Sequence, residues 1–495
     1  MAIDPSQGLG LRQKVARGTA INAAFDIGLN GLSFLKGFIV AGIITAGEFG
    51  VWGLLVITLG TLVWLAQIGL DDKYIQQEDS DQERAFQMAF TLQSMLCGAY
   101  LALVLVTLPL FALAYDNWEI VAPGYVLALS FPATALQMPL WAFYRRMQYA
   151  RQRRLQMFDP ITSFVVTIAL AVAGLGFWAL VIGSVAGSWT AGLIAVRASP
   201  YPLRFRFDRR VMREYAGFSW PLLVGSASGV LIAQVPVLIA QRQLGTVAVG
   251  AVTLAASMAV YAQRVDDIVT TSIYPAVCRV RDRMDLLAES FTKSNRLALL
   301  WSLPLGAGVV LFAPALVHYV IGDKWEFAIT VIQLFAVSAA INQVFFNWSA
   351  FMRALGTTRP MATAGLVMLV ATLALALPGI YIWGLDGYAW GMLAATAVGL
   401  VARFVYMRRL FGARILLVNV VRAFVPTLVA VSAILIVRGV TGVSEPGQAG
   451  AAAELALFGL VAAACTMLAE RELMREFVSY IRPASPVTAR PATAD

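Results

Sequence analysis

The sequence predicts an all-α, polytopic membrane protein with about 14 transmembrane helices. Three observations carry that prediction: an excess of apolar residues, a series of long apolar runs, and a one-sided distribution of arginine and lysine. Of 495 residues, 59% are hydrophobic and 13% charged, where a soluble domain carries about 25% charged residues. Mean hydropathy is +0.75. Such a chain has more apolar surface than its own core can bury, so lipid covers the remainder.

The apolar runs fall at 18–44, 49–70, 85–115, 120–144, 157–176, 177–196, 216–240, 246–275, 297–320, 328–352, 361–383, 387–407, 415–437 and 449–469. Each is long enough to cross a hydrocarbon core of about 30 Å. Lipid offers no partner to a free backbone group, so a span is a helix or part of a closed barrel. These runs are continuous and do not alternate, which predicts helices. Gly174 and Gly176 mark a short turn between the fifth and sixth. The first residues are polar and lack the compact apolar segment of a cleaved signal, so the first run is expected to remain a helix.

The connectors fix the expected orientation. With the N-terminus in the cytoplasm, 30 of the 37 Lys and Arg residues fall in cytoplasmic segments. Only Arg242, Lys324 and Arg438 fall outside, and Lys36, Arg264, Arg403 and Arg422 lie within spans. This is the positive-inside bias. It accounts for the net charge of +9 through topology and anionic lipid, so nucleic acid is not an expected partner. Both termini are expected in the cytoplasm of a bacterial inner-membrane protein.

The chain also repeats. AFYRRMQYARQRRLQMFDPITSFVVTIALA from residue 142 resembles AFMRALGTTRPMATAGLVMLVATLALA from residue 350, aligning Arg145 with Arg353. GFWALV at 176 matches GYAWGM at 387, and AGEFGVWGLL near 46 more distantly matches LGTVAVGAVTL near 244. The expected organisation is two parallel-repeat lobes, 1–214 (helices 1–6) and 215–410 (helices 7–12). Two further helices (13 and 14) occupy 411–470 and a cytoplasmic tail 471–495. Parallel repeats of this kind build transporters with a site between the lobes near the midplane.

No catalytic chemistry is expected. The chain has no GxxxxGK[ST], GxSxG or HExxH pattern, so P-loop hydrolysis, a nucleophile elbow and a zincin site are all unsupported. Three scattered cysteines, Cys97, Cys278 and Cys465, and the lone His318 make a zinc or iron–sulfur site unexpected. The extracytoplasmic loops are too short to resemble those of a membrane glycosyltransferase or polymerase. The protein is read as a mover of substrate and not as an enzyme.

The remaining candidates are polar groups inside spans, which are too costly to face lipid unpaired. Asp26 and Lys36 share the first helix, about 15 Å and 80° apart, so they cannot bond each other. Lys36 and Arg264 are candidates for an anion surface suited to phosphate, and equally for interhelical salt bridges. Arg403 is a further candidate for the substrate cavity, or reaches the interface with its long side chain, as does Arg422. Asp26, Asp266 and Asp267 are candidate coupling-ion sites or counter-ions. In NQVFFNWSAF (342–351), Asn342 and Asn347, flanking Phe345 and Phe346, are the amide groups expected to meet a sugar. No cofactor or metal is expected, and coupling to a proton or sodium gradient is open.

Several segments carry a family resemblance. GEFGVWGLL (47–55) followed by AQIGLDDKYIQQ (66–77), FYRRMQYARQRR with GFWALV, SIYPAVCRVRDRMDLLAESFTKSNRLALLWSLPL (272–305) and GDKWEFA (322–328) occur in matching order and spacing. Together they resemble the polysaccharide transporter branch of the multidrug/oligosaccharidyl-lipid/polysaccharide exporter superfamily, over nearly the whole chain. The resemblance implies a V-shaped, fourteen-helix flippase of the Wzx type with alternating access. Its cargo would be undecaprenyl-pyrophosphate-linked oligosaccharide for exopolysaccharide, capsule or O-antigen synthesis. Expected partners are that lipid-linked oligosaccharide and membrane lipids, with a polysaccharide polymerase and export machinery as further candidates. The alternatives are a lipid II flippase, a cation-coupled multidrug antiporter and, less favoured, a membrane glycosyltransferase or polymerase.

Overall fold

The computed structural model describes residues 11–66, 70, 74–75, 79–146, 148–209, 234–262, 277, 282–357, 359–442, 446–473 and 475, with side chains in the first helix from Phe25 and from Gly28 onward. Among the described residues there are helices and no strands. The first half contains α1 (Leu11–Ile43), α2 (Ala46–Ala66) and α3 (Gln82–Tyr115). It continues with the short α4 (Val121–Ala128), α5 (Ser130–Leu136), α6 (Pro139–Arg145) and α7 (Tyr149–Gln156), then α8 (Phe158–Val172) and α9 (Trp178–Ala198). The second half contains the helical stretch α10 (Gln234–Ala262), which reverses at Gly245 (φ +80°) between the runs 216–240 and 246–275, then α11 (Met284–Leu316), α12 (Ile329–Asn342), α13 (Trp348–Ala354), α14 (Arg359–Ala371) and α15 (Leu377–Phe411). The chain ends in the hairpin α16 (Ala413–Thr441) and α17 (Gln448–Ala469).

Ten described helical segments are long and apolar enough to cross a membrane. Glycine decides several of the turns between them. The chain reverses between α8 and α9 at Gly174 (φ +85°) and Gly176 (φ +56°), backbone that only glycine adopts without strain. A 53-residue helical stretch, Arg359–Phe411, breaks at Trp383 and Gly384, where the sequence separates 361–383 from 387–407. Two other segments differ from expectation. The runs 120–144 and 328–352 are not single helices: the first breaks at Gln137–Met138 and the second over Gln343–Asn347.

The two halves meet at the end of the bundle opposite the arginine-rich connectors. There α2 crosses α10 with the two backbones nearly touching. A Cβ on Gly50 would strike the Thr246 carbonyl, one on Gly250 the Ala46 carbonyl, and one on Gly53 the Thr253 hydroxyl. Small residues allow such approach between membrane helices. Below the crossing, Tyr115, Thr58, Thr61 and Gln234 form a buried chain of hydrogen bonds joining α2, α3 and α10.

A second connection closes the same end. The last carbonyls of α1 have no partner in their own helix. Lys324 Nζ donates to Gly42 O (2.8 Å) and Ile44 O (2.5 Å), and Trp325 Nε1 donates to Ala41 O (2.9 Å). The ammonium therefore sits on the negative end of the helix dipole. Trp325 is fully buried and meets Phe49 edge-to-face at 5.6 Å. The following corner is a capping box: Glu48 N donates to Thr45 Oγ1 (3.2 Å), and Glu48 Oε2 accepts from Thr45 N (2.9 Å). Arg242 caps α3 in the same manner, donating to Ala114 O (2.6 Å) and Leu113 O (3.0 Å).

The α16–α17 hairpin is fixed to α11 at both ends. Near the arginine-rich end, Arg296 donates to Glu470 (3.0 Å) and to Asn419 Oδ1 (2.8 Å). At the other end Arg438 pairs with Glu454 at 2.8 Å and lies over Phe312. Both glutamates are buried.

Lys324 is exposed, so its hydrogen bonds to the end of α1 contribute about 1 kcal/mol, and Lys324→Met should make opening of this latch about fivefold more frequent. Val40, fully buried on α1, reports the shift. In a Val40→Cys background, labelling by a membrane-impermeant maleimide should rise by that factor when Lys324→Met is added. Unchanged labelling refutes the latch.

Candidate functional site

Lys36 lies two turns before the end of α1 and is half-buried. Its Nζ donates to Ser163 Oγ at 2.8 Å. One turn earlier on α8, Asp159 faces the same space, near enough for its charge to act on Lys36. Asp159 also accepts from the Gln137 side chain, and Gln137 Nε2 lies 3.3 Å from Ser188 O of α9. Gly187 of α9 leaves room for this group: a Cβ there would lie 2.6 Å from Asp159 Oδ1 and 3.0 Å from Ser163 Cβ. Four elements, α1, the α5–α6 break, α8 and α9, thus converge on one cation and one anion.

The polar stripe continues along the helix. Gln148, Gln152, Gln156, Asp159, Ser163 and Thr167 recur every three or four residues over α7 and α8, and therefore share a face. The side-chain oxygens of Gln148, Gln152, Gln156 and Thr167 are buried without a hydrogen-bond partner. Each such group costs about 1–3 kcal/mol unless something binds it. An ammonium has three donors, and among the described residues Lys36 uses one of them on a protein acceptor.

The second half has a counterpart. The repeat offset that carries Arg145 to Arg353 carries Gln137 to Phe345. Phe345 adopts φ +60° inside the Gln343–Asn347 break. Both halves therefore interrupt one helix at the same place, the arrangement by which transporters expose polar groups at membrane depth. Around this break Arg403 donates to the Asn342 carbonyl (3.0 Å), so it is the backbone of Asn342 that is engaged. Asn347 donates to Ser294 Oγ, and Asn295 donates to the Gln343 carbonyl (3.1 Å). The side-chain oxygens of Gln343 and Asn347 are buried and unpartnered. Phe346 packs against Ala298.

The other sequence candidates are placed as follows. Asp26 lies on α1, but its side chain is outside the described residues, as are Arg264, Asp266, Asp267 and Cys278. Arg422 Nε lies 3.6 Å from Glu470. His318 Nδ1 is 2.6 Å from Asp323 on the exposed surface. Asp159 was not among the sequence candidates. An acid in the first turn of a helix, followed by proline, reads as an ordinary partner of the helix dipole.

Removing one partner of a half-buried charge pair leaves the other uncompensated, at a cost below the ~3–5 kcal/mol of a fully buried pair. Lys36→Met and Asp159→Asn should each lower the thermal unfolding midpoint of the purified protein. The double variant should lose less than the sum, with a coupling of about 1–3 kcal/mol. Strict additivity means the two groups do not interact.

Residues 39–330 match the family described as polysaccharide biosynthesis protein. The chain is 22% identical over 417 residues to an uncharacterized membrane protein in the cps region of Klebsiella pneumoniae, covering 81% of this chain and 83% of that one. It is 25% identical over 290 residues to the teichuronic acid biosynthesis protein TuaB of Bacillus subtilis, covering 57% and 60%. It is 22% identical over 368 residues to the succinoglycan biosynthesis transport protein ExoT of Rhizobium meliloti, covering 72% and 73%. The fold is similar to that of the lipid II flippase MurJ in its inward closed conformation, with TM-score 0.68, 10% identity, and coverage of 92% of this chain and 99% of that one. It is also similar to an inward-facing multidrug resistance MATE family transporter, with TM-score 0.63, 14% identity, and coverage of 78% and 94%. The chain is a multi-pass membrane protein belonging to the polysaccharide biosynthesis protein family.

Proposed function

We propose that this protein moves lipid-linked oligosaccharide repeat units across a bacterial inner membrane for exopolysaccharide, capsule or O-antigen assembly. The observation that carries this reading is the pair of helix breaks at one repeat offset, the second holding the unpartnered buried amide oxygens of Gln343 and Asn347 and the first placing Gln137 beside Asp159 and Lys36, in a chain of the polysaccharide biosynthesis family. Amide oxygens accept hydrogen bonds from sugar hydroxyls, and Lys36 supplies charge for a pyrophosphate. The names of TuaB and ExoT support a glycan cargo.

In this reading the chain has two lobes, 1–214 and 215–410, with helices 13 and 14 over 411–470, fourteen helices in all. Both termini lie in the cytoplasm, on the arginine-rich side. The lobes rock about the α2–α10 crossing, with the Lys324–Trp325 contact closing the extracytoplasmic end. Lys36, Arg264 and Arg403 contact the pyrophosphate, and Asn342 and Asn347 lie on the sugar path. Asp26, Asp266 and Asp267 serve as counter-ions or coupling-ion sites. A polymerase is a candidate partner. The likeness of fold to the lipid II flippase favours a peptidoglycan precursor as the second reading.

Reconstitution in vesicles with defined lipid-linked oligosaccharides tests the activity, with lipid II as the competing cargo. Lys36→Ala and Arg264→Ala should each abolish glycan export while the protein still accumulates in the membrane. Normal export by both variants removes the anion role, and loss of the protein assigns the residues to structure.

A further inference from the structure

Residues 201–208, YPLRFRFD, leave α9 and run without helix across the start of α3. The segment is pinned along its length. The Tyr201 hydroxyl accepts from Arg146 at 2.6 Å, and its ring meets Phe86 at 5.4 Å. Phe205 stacks on Phe90 at 5.4 Å. Arg206 N donates to Thr91 Oγ1 at 2.7 Å, and Asp208 pairs with Arg84 at 3.2 Å. Beneath the strap, seven consecutive residues of α3, Ala85 to Thr91, are buried. A helix buried all round has no lipid-facing side, so at this level the strap takes the place of lipid against α3.

The strap's own exposed residues are mixed. Phe205 is 75% exposed and Phe207 64%, and between and beside them Arg204, Arg206 and Arg209 are exposed. The depth is readable from α3. Its 34 residues make a rod of about 50 Å, so about 10 Å projects beyond each face of a 30 Å hydrocarbon core. Phe90 and Thr91 lie about 12–14 Å from the start of α3. The strap therefore crosses at the boundary between hydrocarbon and headgroups on the arginine-rich side. Aromatic rings favour that boundary, and arginine there meets anionic headgroups.

We propose that residues 204–209 form an anionic-phospholipid binding strap, in which Phe205 and Phe207 enter the acyl boundary and Arg204, Arg206 and Arg209 hold lipid phosphates. Asp208 leaves the charge positive because Arg84 already pairs with it. The chemistry is that of a phosphate diester on a membrane surface, and the occupant is a lipid of the leaflet on the arginine-rich side.

The test uses the full chain in nanodiscs, with Cys97, Cys278 and Cys465 replaced by serine and a fluorophore on Phe207→Cys. Headgroup spin-labelled phosphatidylglycerol is compared with the same label on phosphatidylcholine at equal mole fraction. The phosphatidylglycerol quencher should be enriched at residue 207 by about fivefold for each arginine engaged, and the enrichment should vanish in Arg204→Gln/Arg206→Gln. Equal quenching by the two lipids overturns the proposal. So does stronger quenching by aqueous iodide than by either lipid. A preference abolished by excess inorganic phosphate overturns it too, since the strap would then read free phosphate and not a lipid surface.

Discussion

The crossing of α2 and α10 is the contact on which the remaining geometry depends. At Gly50 and Gly250 the backbones approach too closely for any side chain. The contact is reciprocal: residue 50 meets 246, and residue 250 meets 46. Such reciprocity is what a two-fold relation between equivalent patches produces. A contact with so little volume tolerates rotation of one helix on the other better than translation, because sliding carries larger neighbours into the same gap. The buried Tyr115–Gln234 bond and the Lys324 and Trp325 bonds to α1 hold the two halves in this arrangement.

The basic residues that the charge pattern leaves on the arginine-poor side are all engaged. Lys324 and Arg242 each cap a helix, and Arg438 neutralises a buried glutamate. Three of the segments that carry the family resemblance converge at this end. Glu48 of GEFGVWGLL caps α2, a Cβ on Gly176 of GFWALV would strike that carboxylate, and Lys324 and Trp325 of GDKWEFA hold α1. Their shared spacing reflects closure of the bundle at this end.

Sequence reading succeeded where one residue type dominates the physics. Lipid forces helices, so the all-α class followed from hydropathy alone. Glycine at 174 and 176 announced a turn because few residues tolerate those backbone angles, and the gap between the runs 361–383 and 387–407 marked the break at Gly384. The breaks at Gln137–Met138 and Gln343–Asn347 were hidden. They contain no glycine, and Pro139 sits just inside the next helix, where it is ordinary. Their stability comes from partners distant in sequence, Ser188 for one and Asn295 for the other. Asp159 was missed for the same reason: its importance lies in Lys36, 123 positions earlier. Pairings across a fold leave no mark on a hydropathy profile.

The riveting of α16–α17 has an evolutionary corollary. The hairpin reads as an appendage to a twelve-helix body, yet it does not simply lie against it. Deleting it would strand Arg296 without its carboxylate and uncover Phe312, and both lie on α11 of the main body. A chain that lost the hairpin would have to change α11 in the same step, and one that gained it would find the arginine already waiting only by accident. Once Arg296–Glu470 and the stacking of Arg438 on Phe312 were in place, the extra helices became hard to discard. Their persistence can therefore follow from this dependence alone, whatever they contribute to transport.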